Sequence, residues 1–381
     1  MKVLLQPKLL TTFSLVVATS VILTACGGAS KASPTATAGD STGAVTSERC
    51  GDPSKLADKL SFFNWSDYLA PELLDMFEEE CGVKVVQDTF SNNEDMIAKV
   101  QAGNSGYDLV VPSDYAVQIM VNRGLLAELT KENLPNLANV NPANLGMYFD
   151  PENKYSVPYQ WGTTAIIYNS AKLEEAPTSW AAIFEPDQIC KYKGYVSLLD
   201  DEREALGAAL KYLGYSYNDV DPAHHEEAKQ LLLAQKDCLA GYSSDIIPQL
   251  AAEEILLAQG WPGQLGQARV DNPDLKYVFP SEGFSVWQDN LSIPVDAPNP
   301  YTAEIFINWL MDSEIAAINE NYIFYFTPVQ TAEDLLSDEY KEIMGGAGLL
   351  EVYDHLDRAE WIERNDKTVI FSDTWTAVRA K

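Results

Sequence analysis

The chain has 381 residues, 56 of them acidic and 26 basic, for a formal net charge of −30. That excess argues against nucleic acid and against an anionic lipid surface as partners; most of it reads as a solvated outer face, and it hints only weakly at a cationic ligand. The roughly 330 residues beyond the N-terminal stretch exceed the size at which one hydrophobic core stops growing, so two lobes are expected.

Residues 1–25 read as an export signal. Lys2 and Lys8 precede an apolar stretch from Phe13 to Leu23, which ends in Leu23-Thr24-Ala25-Cys26. Thr11, Thr12, Ser14, Thr19 and Ser20 interrupt this segment, and its apolar part is shorter than the ~20 residues a spanning helix needs. The order of charge, apolar run and small residues before a cysteine resembles a bacterial lipobox, in preference to a plain secretory signal. The chain would then be cut before Cys26 and its thiol would carry lipid. Residues 26–50 are expected to form the lipidated cysteine and a flexible tether, because Gly27 to Ser47 is rich in Gly, Ala, Ser and Thr and has too little large apolar surface to fold.

Beyond the tether, short β-rich runs feed helix-like patterns. Leu60-Phe63 precedes a helix expected from Pro71 to Glu80, with Leu73, Leu74, Met76 and Phe77 as its apolar stripe. Val83-Val86 is a second strand, Glu94-Ala102 a second helix and Leu109-Val111 a third strand. This alternation implies a parallel sheet wound with helices, with ligands bound past the carboxyl ends of the strands. In the second half Tyr195-Leu199 is strand-like, Arg203-Leu213 and Glu226-Lys236 are helix-like, and Leu256 and Val278 mark further short strands. Crossings between lobes are expected near Trp161-Ala165 and Trp287-Leu291, with a helical stretch over Tyr301-Asn319. Cys50, Cys81, Cys190 and Cys238 permit three pairings in an oxidising compartment, and their positions favour Cys50 with Cys81 and Cys190 with Cys238.

Several polar and aromatic residues fall at these strand ends. Asn64-Trp65-Ser66-Asp67-Tyr68 follows the first strand and Pro112-Ser113-Asp114-Tyr115 the third. Past Leu199 lies Asp200-Asp201-Glu202-Arg203-Glu204, whose spacing sets Asp201 and Glu204 on one helical face, where a cation would relieve their repulsion. Trp261 and Trp287-Gln288-Asp289 occupy similar places. An alkyl chain with protonated amines needs both groups, carboxylates for its ends and aromatic faces for its methylenes and charge. Taken singly, Trp261 reads more readily as core than as a ligand contact, Asp289 equally as a helix cap or surface charge, and Asp201 and Glu204 as first-turn carboxylates favoured by a helix dipole.

From about Lys59 to Arg379 the chain resembles the solute-binding proteins of spermidine/putrescine ABC transporters. The resemblance is carried by FNWSDY (63–68), YDLVVPS (107–113), YSVPYQWGTTAIIYN (155–169), DDEREALGAALKYLGYS (200–216), VWQDNLSIP (286–294) and YFTP (325–328). It implies an α/β, two-lobe periplasmic-binding-protein fold of type II, each lobe a mainly parallel sheet flanked by helices, with the ligand cleft between them. Residues 51–162 and 288–332 would form lobe 1, and 163–287 and 333–381 lobe 2. It further implies ligand contacts from Trp65, Ser66, Asp67, Tyr68, Ser113, Tyr115, Asp201, Glu204, Trp261, Trp287, Asp289 and Tyr325. Asp67 and its neighbours look closer to the putrescine branch, Asp201 with Glu204 closer to the spermidine branch. The family's C-terminal glutamine has no counterpart in Glu360-Trp361-Ile362-Glu363, so ligand length stays open.

The expected role is an extracytoplasmic polyamine-binding component that delivers spermidine or putrescine to the membrane permease of an ABC uptake system. It would be a monomer touching the membrane only through the lipid at Cys26, on the periplasmic or outer face of the cell membrane, without cofactor, metal or nucleic acid. The alternatives are a ligand-presenting sensor and a binding protein for another cationic amine. Paired carboxylates beside aromatic platforms also describe glycoside hydrolases. Against an enzyme, the chain has only His224, His225 and His355 and lacks a nucleophile elbow, phosphate loop or zinc motif. His224 and His225 are expected at an exposed, polar helix start.

Overall fold

A computed structural model describes residues 47–364 and 367–380. The export signal, Cys26 and the tether as far as residue 46 lie outside the described residues. Ten strands are present among those described: β1 (Lys59–Trp65), β2 (Lys84–Phe90), β3 (Leu109–Val110), β4 (Ser156–Asn169), β5 (Val196–Leu198), β6 (Gly241–Tyr242), β7 (Leu257–Gly260), β8 (Leu275–Val278), β9 (Phe284–Ser292) and β10 (Ala359–Trp361). The longer helices are α1 (Glu72–Cys81), α2 (Asn93–Gln101), α3 (Asp114–Asn122), α4 (Glu202–Tyr212), α5 (Pro222–Gln235), α6 (Pro262–Asp271), α7 (Pro300–Leu310), α8 (Ser313–Ile323), α9 (Asp338–Ala347) and α10 (Val369–Arg379).

Two long strands organise the rest. The first part of β4 pairs antiparallel with β9, from Ser156–Ser292 to Thr164–Ser285, and from Ala165 onward β4 pairs with β7 and β8 instead. On one side of this pair β2, β1 and β3 run parallel, β3 joining β9 at Val110–Ser292; on the other β6, β5 and β7 run parallel. Two lobes, each a sheet flanked by helices, thus share β4 and β9 as crossing strands. A third passage follows α8, where Trp161 and Phe326 exchange backbone hydrogen bonds of 3.0 and 3.3 Å.

Local chemistry explains the elements. Along β1, Leu60 and Phe62 turn to one face, where Phe62 and Phe77 meet Phe306 edge-on; Phe63 turns to the other and stacks on Tyr107 at 4.3 Å. In α1 the buried line is Leu73, Phe77 and Cys81 at four-residue spacing, while Leu74 and Met76 flank it half-buried. Each such core side chain contributes about 1.5–3 kcal/mol by leaving water. Gly82 closes α1 in a left-handed conformation (φ 72°). Cys50 is bonded to Cys81 and Cys190 to Cys238. The helical stretch expected over Tyr301-Asn319 is two helices, because Asp312 adopts extended backbone and accepts the Glu314 N–H, starting a new helix.

The second histidine differs from expectation. His225 is buried, its Nε2 2.8 Å from the Asp219 carbonyl and its Nδ1 3.2 Å from Thr374 Oγ1, because this turn of α5 packs on α10. His224 stays at the rim, stacked on Tyr215 and paired with Asp219 at 3.0 Å.

One buried carboxyl is poorly matched to its surroundings. Glu320 of α8 is fully buried, and among the described residues its two oxygens, like Gln160 Oε1, have no partner within hydrogen-bonding geometry. Burial pushes its pKa from 4.5 up to about 8, with the Gln160 side chain pulling the other way. The neutral acid favours the folded chain, so its contribution is complete below about pH 4.5 and is lost as the pH rises to about 8. Glu320→Gln removes the charge and supplies a donor for Gln160. In thermal denaturation of the ligand-free protein it should stabilise by a few kcal/mol at pH 8.5 and by progressively less toward pH 5. A difference that does not vary with pH would contradict this placement.

Candidate functional site

The six parallel strands end at one cavity of about 490 Å³. Its wall takes Trp65, Ser66 and Tyr68 from beyond β1, Phe90 to Glu94 from β2, Ser113 to Tyr115 from β3, Asp200 to Glu204 from β5, Tyr242 to Asp245 from β6 and Trp261 from β7. Trp287 and Asp289 of β9, Tyr325, Ile362 and Trp375 complete it. Among the described residues the lining holds eight carboxylates and a single cationic side chain, Arg203.

Asp289 sits at the centre. It is buried, and its oxygens accept hydrogen bonds from Tyr68 Oη at 2.7 Å and Ser113 Oγ at 2.6 Å. Burial pushes its pKa up to about 6, while these two hydroxyls pull it down. Asn93 orients the hydroxyls of this wall, its amide donating to Ser113 Oγ at 3.0 Å and to Tyr115 Oη at 3.1 Å.

On the opposite wall Asp201 caps α4, with Oδ1 accepting from the Arg203 and Glu204 N–H groups at 2.8 and 3.1 Å. The capping role weighed in the sequence is therefore present, and it fixes this carboxylate at the cavity. Glu204 is held from three sides: Thr164 Oγ1 of β4 donates to Oε1 at 2.7 Å, and Ser285 Oγ of β9 and Tyr217 Oη donate to Oε2 at 2.8 and 3.1 Å. It lines the cavity and ties α4 to both crossing strands. Burial raises the pKa of both acids; Asp201 raises Glu204 further, and hydrogen bonds oppose the shift.

The aromatic walls meet at angles. Tyr68 lies edge-on to Tyr325 at 4.7 Å, Tyr325 to Trp287 at 5.8 Å, and Trp65 tilts over Phe90 at 4.5 Å. Missing side chains make room for two of these rings. A β-carbon on Gly162 would lie 2.6 Å from the Trp287 ring and one on Gly263 2.0 Å from the Tyr325 ring. Left-handed Phe324 (φ 56°) ends α8 just before Tyr325 enters the cavity.

Of the twelve contact residues expected from the sequence, eleven line the cavity. Asp67 does not: its left-handed backbone (φ 54°) lets Ser66 and Tyr68 reach the wall and leaves its own side chain outside, with a pKa raised by partial burial and then by Asp245. Glu360, in the segment that lacks the family's glutamine, bonds Ser216 and Lys211; Ile362 faces the cavity from there. The sequence reading missed Glu94 and the Tyr242–Asp245 turn. Both follow carboxyl ends of parallel strands, as the other cavity residues do, but β2 runs four residues past the expected Val83-Val86 and β6 is only two residues long.

Gly263→Ala should force Tyr325 from its place. Overpacking of this kind costs about 1–3 kcal/mol, so the melting temperature should fall by several degrees and cation binding should weaken. Gly241→Ala, where a β-carbon meets nothing within 4 Å, is the control. Equal behaviour of the two variants would contradict the packing described.

Residues 72–344 match the family model described as bacterial extracellular solute-binding protein. The putrescine/cadaverine-binding protein of Pseudomonas aeruginosa is 39% identical over 297 residues, 75% of this chain and 84% of that protein. The spermidine/putrescine-binding periplasmic protein of Salmonella typhimurium is 37% identical over 327 residues, 85% of this chain and 92% of that protein. Among solved structures, the spermidine/putrescine ABC transporter substrate-binding protein PotD of Streptococcus pneumoniae has a TM-score of 0.69 at 33% identity, covering 85% of this chain and 99% of that one. The chain belongs to the bacterial extracellular solute-binding proteins, a family that binds its solutes without transforming them.

Proposed function

We propose that this protein captures a polyamine cation, spermidine or putrescine, outside the cell membrane and delivers it to the permease subunits of an ABC importer. The observation that carries the reading is the buried carboxylate of Asp289, set between aromatic faces in a cavity with eight carboxylates and one guanidinium among the described residues. The polyamine-binding relatives support it. Asp289 and the Asp201/Glu204 pair hold ammonium groups, whose N–H donors satisfy the carboxylate oxygens left open by the protein. Trp261, Trp287, Tyr68, Tyr325 and Trp65 cover the methylenes, each cation–π contact adding about 0.5–2 kcal/mol. Ser66, Ser113 and Tyr115 complete the contacts, with Asp67 at the mouth.

Residues 51–162 with 288–332 act as one lobe and 163–287 with 333–381 as the other; the change of partners along β4 at Thr164–Ala165 supports this division. The cation bridges the lobes and shifts the population toward a closed form that the permease recognises. Lipid on Cys26 anchors the chain after removal of residues 1–25.

Calorimetric titration of the ligand-stripped domain tests the reading. One of putrescine or spermidine should bind saturably, arginine should not, and absence of binding by folded protein would contradict it. Asp289→Asn should weaken binding more than a hundredfold, because breaking a buried charged pair costs about 3–5 kcal/mol; an unchanged affinity would refute the assignment. Burial pushes the pKa of Asp289 up to about 6 and that of Glu94 up to about 7. An ammonium favours the ionised acids, so affinity should be full above about pH 7.5 and fall as the pH drops through 7 to 6. Cys26→Ala should move the protein from the membrane to the soluble fraction; retention on the membrane would contradict the anchor.

A further inference from the structure

Glu94 occupies the first turn of α2, where its carboxylate lines the same cavity as Asp201 and Glu202 but approaches from the other sheet. α2 follows β2 and α4 follows β5, and the first residues of both helices line the cavity. Both helix starts bring partial positive charge to the gap, and carboxylates there are favoured over other side chains. What remains is an excess of negative charge that the protein answers only in part.

The hydrogen bonds show how partial the answer is. Among the described residues one side-chain donor reaches Glu94: Tyr115 Oη, at 3.3 Å from Oε1. Opposite, Asp201 spends Oδ1 on the N–H groups of its own helix, and Glu202 accepts from Ser372 Oγ at 2.7 Å. Burial first, and then Asp201 and Glu202, push the Glu94 pKa up to about 7, with Arg364 acting weakly in the other direction. Arg203, the cationic side chain of the wall, lowers the pKa of Asp201 and of Glu202 by its charge, yet among the described residues no hydrogen bond joins it to a carboxylate side chain. Its Nη2 donates to Asn218 Oδ1 and to the Glu363 carbonyl, and its guanidinium lies 4.3 Å from the centre of the Phe371 ring. Tyr242 and Trp375 line the cavity too, edge-on to each other at 5.0 Å, and supply aromatic faces of the kind that accompany the other carboxylates.

We propose that Glu94 is a ligand-binding residue, and that its carboxylate and that of Asp201 form one station for an ammonium group of the bound polyamine. The inference rests on the polyamine reading and deepens it. An ammonium at this station bonds carboxylates carried by α2 and α4, so capture of the cation draws the two helix starts together. It also displaces whatever proton Glu94 holds in the empty cavity.

Glu94→Gln tests the proposal with spermidine and putrescine as probes. The variant keeps the shape and the Tyr115 contact, and its ligand-free melting temperature shows whether it folds. Affinity for the polyamine that the wild type binds should drop tenfold to a hundredfold. Calorimetry at pH 7 in buffers of different ionisation heat should show fewer protons released per ligand bound than for the wild type. Arg364→Gln separates this role from a structural one: removing a competing cation should leave binding unchanged or tighter. If Glu94 served only to hold Arg364, both variants would lose affinity alike, and that result overturns the proposal. So does Glu94→Gln binding within twofold of the wild type. Should Glu94→Gln not fold, Glu94→Asp replaces it, with an intermediate loss of affinity expected and unchanged affinity counting against. Absence of binding by the wild type overturns the polyamine reading and this inference together, whereas a wild type that binds and a Glu94→Gln that binds equally overturns this inference alone.

Discussion

Carboxylates brought out of water without enough counter-charge are the constraint from which the rest of this structure follows. Asp289, Asp201, Glu204 and Glu94 come from both sheets into a single cavity, and burial raises the pKa of each. Hydroxyls and helix N–H groups stabilise the charges singly, but they are dipoles and leave the net charge in place. A ligand that carries positive charge on a flexible apolar chain matches both parts of the wall. Its ammonium groups would meet the carboxylates, and its methylenes the rings of Trp261, Trp287 and Tyr325, on the proposed reading. Arginine side chains in those places would have satisfied the acids permanently and removed the reason to bind a solute.

The same carboxylates lie where the chain passes between lobes. Asp289 belongs to β9, and its neighbour Trp287 donates through Nε1 to Thr164 Oγ1 of β4 at 3.1 Å. Thr164 in turn donates to Glu204, which also accepts from Ser285 of β9. A run of hydrogen bonds thus connects an aromatic wall of the cavity, both crossing strands and the helix that carries Asp201. Charge placed at Glu204 thus sits directly on the strands that cross between the lobes. Gly162 is part of this arrangement, since no other residue leaves room for the Trp287 ring against β4.

Much of this is legible in the sequence, for identifiable reasons. Alternating strands and helices announce parallel sheets, and the rule that ligands gather past strand ends selects Trp65, Tyr68, Ser113, Asp201 and Trp261 from the order of residues alone. β4 and β9 are buried along nearly their whole length although Gln160, Thr163, Thr164, Ser285, Gln288, Asp289 and Asn290 interrupt their apolar residues, so the family motifs mark these crossing strands where an apolar run does not. Other features depend on tertiary placement that one chain does not display. Asp67 looks equivalent to its neighbours, yet a left-handed turn sets its carboxyl apart. His225 looks exposed in its polar helix start and is buried by a helix whose Thr374 lies 149 residues further along the chain. Glu94 carries no local mark to distinguish it from Asp95 beside it; only the approach of α4 from the other sheet makes it part of the cavity.

If a cation held between carboxylates of both lobes draws those lobes together, the change must show in the overall dimensions of the protein. Small-angle X-ray scattering from the ligand-free domain, recorded before and after saturation with its polyamine, tests this most directly. The expected result is a smaller radius of gyration with ligand present, reversed when the ligand is removed. Superimposable profiles from a protein shown to bind would contradict closure.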